Sequence, residues 1–186
     1  MYQIFTLKDQ STYPLIHDLV IHPFKVNRDP RGSLTEALKT TWEDVYHPDT
    51  RPFTQMYFSV SPAGVARDAG EWHIHPGGQE DRFFVIQGSI VTAVYDDRDN
   101  SPTKGKLNLF LMGEIPDDIG QYLLVIPPHT YHGYVVVSDR PAILGNFPTR
   151  LYDPHEEGRQ PMAQALLPDG SQFSWDTVKT LAKTLQ

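Results

Sequence analysis

The sequence predicts an all-β protein, a barrel or sandwich of the jelly-roll kind closed by one C-terminal helix. Two observations predict it. Short runs rich in aromatic and β-branched residues recur from position 53 to position 144, each bounded by Pro, Gly, Asp or Asn. Helical spacing appears clearly only near the C-terminus, where Trp175, Val178, Leu181 and Leu185 share a face behind Ser174, a suitable N-cap. No repeat, low-complexity tract or linker interrupts the chain, so residues 1–186 are expected to form one domain.

Taken in order, residues 1–30 show little periodicity beyond a short strand at Leu19–His22 and a turn over Asn27–Pro30. Phe53–Ser61 is the first strong strand signal and stops at Pro62. Phe83–Tyr95 reads as two strands joined in a hairpin at Gln87, Gly88 and Ser89. A polar loop over 96–105 precedes Lys106–Leu111, where Leu107, Leu109 and Leu111 alternate. Further strands are expected at 122–126, 134–137 and 142–144. Phe83, Val85, Leu109, Leu111 and Val136 are expected to form the barrel core.

Composition narrows the function classes. The 23 acidic and 16 basic residues give a net charge of −7, which disfavours nucleic acid and anionic membranes as partners. With 0 cysteines there is no disulfide, thiolate metal site or cysteine nucleophile. The N-terminal stretch lacks a signal-peptide pattern and no apolar run reaches membrane-spanning length, so a cytoplasmic location is expected.

The chemistry-bearing residues cluster between Glu71 and Asp81. His73 and His75 stand two apart, so on an extended strand their imidazoles point the same way. Pro76, Gly77 and Gly78 turn the chain before Glu80 and Asp81, and His132 follows on a later strand. Strict alternation sends His73, His75, Asp81, Phe83 and His132 into the barrel and turns Arg82 and Phe84 outward. Imidazole and carboxylate donors suit a divalent Zn, Fe, Ni or Mn ion, with Glu80 a rival to Asp81 as the carboxylate. Such a site requires neutral imidazoles, so affinity is expected to fall as pH drops through ~6.5.

With these motifs in place, the chain resembles the cupin superfamily and, within it, the dTDP-4-dehydrorhamnose 3,5-epimerase family. Asp29–Glu36 is similar to that family's Asp-x-Arg-Gly-x-Phe-x-Glu, and Gln55–Ser61 to its Gln-x-Asn-x-Ser-x-Ser. Tyr95–Lys106, Ile126–Tyr134 and Tyr152–Pro154 match later segments. The resemblance implies a homodimer with N-terminal strands crossing between subunits, and a sugar or nucleotide-sugar ligand. It places Arg31, Gln55, Arg67 and Asn146 at the substrate.

The resembled reaction removes protons beside a 4-keto group and returns them to the opposite face, using a histidine, a lysine and a tyrosine and no metal. Here the lysine position reads Asp81 and the tyrosine position Asn146. The histidine position falls on Glu71 without gaps, or on His73 with a two-residue gap. Metal-binding cupins offer another pattern, similar to His73, His75, Asp81 and His132 here. The combined expectation is an epimerase or isomerase acting next to a carbonyl at a metal-assisted site, with His73, Glu71 and Asp81 as catalytic candidates. The alternatives are a metal-dependent oxygenase or lyase, and a cupin that binds a sugar or nucleotide without catalysis.

Overall fold

A computed structural model describes residues 3–67, 69–167 and 170–185. In chain order the strands are β1 (Val20–Pro23), β2 (Val26–Asp29), β3 (Gly32–Thr35), β4 (Tyr57–Ser61), β5 (Ala66–Arg67) and β6 (Glu71–Ile74). They continue with β7 (Asp81–Gln87), β8 (Ser89–Tyr95), β9 (Leu107–Gly113), β10 (Tyr122–Ile126), β11 (Tyr131–Val136), β12 (Ala142–Asn146) and β13 (Gly158–Pro161). Helix α1 (Trp175–Ala182) closes the chain, with Ser174 at its N-cap in extended conformation.

Two antiparallel sheets face each other, which is the expected jelly roll. One runs β1-β10-β7-β12-β4; the other runs β13-β6-β11-β8-β9, with β5 also paired to β11. Phe83, Val85, Ile90, Phe110, Met112, Leu124, Tyr134 and Val136 fill the space between them. The outer face of the second sheet is also apolar. There Trp72, Val91, Leu109, Leu111 and Val135 pack under Trp175, Val178 and Ala182. Outside the first sheet, Phe84, Leu123, Val125 and Phe147 bury Val45 and rest against Trp42.

Four expectations are corrected here. Leu109 and Leu111 do share a face, but it is the outer one beneath α1, while Phe110 and Met112 point inward. Both faces of β9 are covered, so alternation alone does not say which is the interior. Gln87–Ser89 is not a hairpin either: β7 pairs with β10 and β12, and β8 with β9 and β11. The chain crosses between sheets at Gly88, whose φ of +71 is easy only for glycine, and a Cβ there would lie 2.9 Å from Pro141 O. Asn27–Asp29, read as a turn, forms β2 of an exposed hairpin with β3. Leu185 falls beyond α1 and is exposed.

Candidate functional site

The site forms at the end of the barrel where β6, β7, β11 and β12 come together. His132 stands directly opposite His73 in the β11–β6 pairing, and Asp81 opens β7 beside β10 and β12. His73 and His75 keep the two-residue alternation, with Trp72 turned into the outer cluster. Phe83 and His132 face the interior edge to face, with ring centroids 5.8 Å apart. Arg82 and Phe84 turn outward, as alternation requires.

Donor atoms converge tightly. His73 Nε2 lies 3.1 Å from His75 Nε2. Asp81 Oδ2 lies 3.0 Å from His75 Nε2 and 3.1 Å from His132 Nε2. Ligand atoms of the three histidines all fall within 4.8 Å of one another. Donors bound to one ion at ordinary bond lengths stand roughly 3.0–3.5 Å apart, so the spacing fits a shared cation.

The surrounding hydrogen bonds decide which atoms carry lone pairs. His132 Nδ1 faces Thr130 O at 3.3 Å and must donate to it, which leaves Nε2 without a hydrogen. That Nε2 is buried and has no hydrogen-bond partner, although the Asp81 carboxylate lies beside it. The Gln79 amide donates to Asp81 Oδ1 at 2.9 Å and its Nε2 also meets His75 Nε2 at 3.1 Å. His75 Nε2, His132 Nε2 and Asp81 Oδ2 therefore crowd one buried space, with Asp81 Oδ2 within 3.1 Å of both nitrogens. Such an arrangement attracts a proton or a cation.

Arg159 on β13 bonds to His73 Nδ1 from outside the barrel. A guanidinium only donates, so neutral His73 holds its hydrogen on Nε2 while this contact lasts. Burial, reinforced by His132 and His75, pushes the His73 imidazole down to about 2. It is thus held neutral, as a donor atom must be. Burial would raise the Asp81 carboxyl, yet the neighbouring His132 and His75 hold it well below the usual range. Asp81 stays anionic.

Asn146 fixes the other side of Asp81. Its Oδ1 accepts from the Arg82 backbone N–H at 2.9 Å, and its Nδ2 donates to Asp81 Oδ1 and to Tyr57 Oη, each at 2.8 Å. Gln55, Tyr57, His75 and Gln79 line the mouth with Tyr152, Asp153, Glu156 and Glu157. Only about 20 Å³ of cavity is open there, room for about one water.

The structure thus gathers His73, His75, Asp81, His132, Asn146 and Gln55, and leaves other candidates outside. Glu80 does not compete with Asp81, because its carboxylate pairs with Arg51 at 2.7 Å. Glu71 shares the His73 face but is exposed. Arg67 stands opposite Tyr134 on β5, with its side chain exposed. Arg31 sits on the β2–β3 hairpin, its guanidinium bonded to Asp29 at 2.5 Å. Gln79 reaches in from the loop between β6 and β7, while Tyr57 and Arg159 are brought in by strand register.

Residues 14–166 match the model of the dTDP-4-dehydrorhamnose 3,5-epimerase family. The chain is 39% identical over 147 residues to the probable low-salt glycan biosynthesis epimerase Agl13 of Haloferax volcanii, covering 77% of this chain and 87% of that one. It is 28% identical to the spore coat polysaccharide biosynthesis protein SpsL of Bacillus subtilis, covering 87% and 91%. In fold it is similar to a dTDP sugar isomerase of Desulfovibrio desulfuricans, with a TM-score of 0.69, 24% identity and 94% and 96% of the chains covered. The epimerase RmlC of Legionella pneumophila, solved in complex with dTDP-4-keto-L-rhamnose, gives a TM-score of 0.66 at 27% identity over 77% and 73%. The chain belongs to the dTDP-4-dehydrorhamnose 3,5-epimerase family.

Proposed function

We propose that the protein is an epimerase or isomerase of a nucleotide-linked sugar, acting at carbon next to a carbonyl, and that a divalent ion assists it. The observation that carries the metal part is the buried, partnerless His132 Nε2 facing Asp81 Oδ2, with His75 and His73 completing the ring of donors. Zn, Fe, Ni or Mn suits this imidazole and carboxylate set. When bound, the ion supplies Lewis acidity at a developing enolate oxygen, which the anionic Asp81 in the family's lysine position cannot do.

The chain's own residues supply the rest. Gln79 and Asn146 hold Asp81 in place through Oδ1 and leave Oδ2 turned to the histidines. Glu71, on the His73 face, is the candidate base, since His73 as a ligand would give its lone pair to the ion. Gln55, at the mouth with its amide donating to Arg150 O, is the proposed contact to the sugar. With Nε2 given to an ion, a neutral His73 would carry its hydrogen on Nδ1, the atom that now faces Arg159.

The family and its glycan-biosynthesis relatives support the substrate class. The same reading includes a single-domain chain, a cytoplasmic setting and a homodimer whose exposed β2–β3 hairpin carries Arg31 to the partner subunit's site, while Arg67 meets the ligand at its own. No helix among the described residues is long and apolar enough to cross a membrane.

The test follows a dTDP-linked 4-keto-6-deoxyhexose by NMR in deuterated water. Metal-loaded protein is expected to incorporate deuterium beside the carbonyl, and chelator-stripped protein to lose this by on the order of 10³-fold. Full turnover by stripped protein would overturn the metal-assisted reading. No exchange by either form would leave a binding protein.

A further inference from the structure

Inverting a carbon beside a carbonyl requires one group to take the proton and another to return it on the opposite face. Resting on the epimerase reading above, we propose that Tyr57 is the group that returns it. The β4–β12 register sets Tyr57 directly opposite Asn146, and Asn146 Nδ2 donates to the phenol oxygen at 2.8 Å. The amide cannot turn over, because its Oδ1 is held by the Arg82 backbone N–H. The phenol oxygen therefore accepts in this bond, and its own hydrogen remains to be given.

That hydroxyl stands on the wall of the mouth, and Tyr57 is 44% exposed, so a ligand entering there meets it. The bridge through Asn146 places it one side chain away from Asp81. Burial of the hydroxyl, reinforced by the charge of Asp81, raises the phenol, so it is protonated at neutral pH. The amides of Gln55, Gln79 and Asn146 already donate to Arg150 O, to Asp81 and His75, and to Asp81 and Tyr57, and amides are not acids; the carboxylates at the mouth are acceptors.

The step balances. The enolate π pair forms a C–H bond with the Tyr57 proton as the O–H bond breaks, and the oxygen lone pair restores the carbonyl. The phenolate then takes a proton from water. Nothing is oxidised or reduced.

The test compares full-length, metal-loaded wild type with Tyr57→Phe on the same dTDP-linked 4-keto sugar in deuterated water. Formation of inverted product is expected to fall on the order of 10²- to 10⁴-fold in kcat, with KM within about threefold. Deuterium washout into the starting isomer should persist, because the base is intact. Wild-type kcat in the phenylalanine variant would overturn the proposal for Tyr57 alone. So would a variant that loses washout and inversion equally with a raised KM, since that marks a purely positioning role. A wild type that neither exchanges nor inverts removes this proposal together with the epimerase reading.

Discussion

His132→Ala is expected to strip the divalent ion and to lower turnover by on the order of 10³-fold while the fold survives. Removal of His132 costs the apo protein the 3.3 Å contact to Thr130 O and the 3.1 Å contact to Asp81 Oδ2, both local to the site. Its interior neighbours Tyr134 and Val136 stay packed in the barrel core. Loss of one ligand from a set of three imidazoles and one carboxylate leaves His73, His75 and Asp81, and removes the most deeply buried nitrogen of the set, so affinity for the ion is expected to fall. Circular dichroism reads the fold and elemental analysis the ion. A variant that keeps both metal and turnover would contradict the assignment of His132.

Arg82→Ala is expected to be the most destabilising single change, at about 3–5 kcal/mol and a fall in Tm of roughly 10 °C. The Arg82 side chain is fully buried, with no carboxylate partner in its hydrogen bonds. Its guanidinium donates instead to the carbonyls of Phe147 at 2.6 Å, Val45 at 2.9 Å, Arg51 at 3.3 Å and Pro52 at 2.6 Å. Burial pushes its pKa down to about 10, still high enough to keep it charged near neutral pH. Removing it strands those carbonyls and unties the 45–52 segment from the sheet. The backbone of Arg82 also holds Asn146, so strand movement there reaches Asp81. Thermal unfolding checks this, and a shift below about 2 °C would contradict it.

The sequence carried the site where strict alternation governs. His73, His75, Asp81, Phe83 and His132 could be placed on one face because a two-residue period leaves no other choice on a regular strand. It failed where both faces of a strand are covered, as at Leu109 and Leu111, because apolar character then says nothing about direction. It also failed where partners are set by long-range pairing. Gln87–Ser89 has the composition of a hairpin, yet its strands belong to different sheets. Tyr57 lies 89 positions from Asn146, and Arg159 lies 86 from His73, so only β4–β12 and β13–β6 register reveals either contact. Glu80 and Asp81 were inseparable in sequence; the ion pair with Arg51 removes Glu80 from the cluster.

The measurement that bears most directly on the account is the metal content of protein purified without an affinity tag. The account predicts about one equivalent of Zn, Fe, Ni or Mn per chain, or a clear rise in Tm when one of them is added to stripped protein. Protein that carries no stoichiometric metal, and whose Tm is unmoved by all four ions, would contradict it and leave the three histidines as the lining of a sugar-binding cleft.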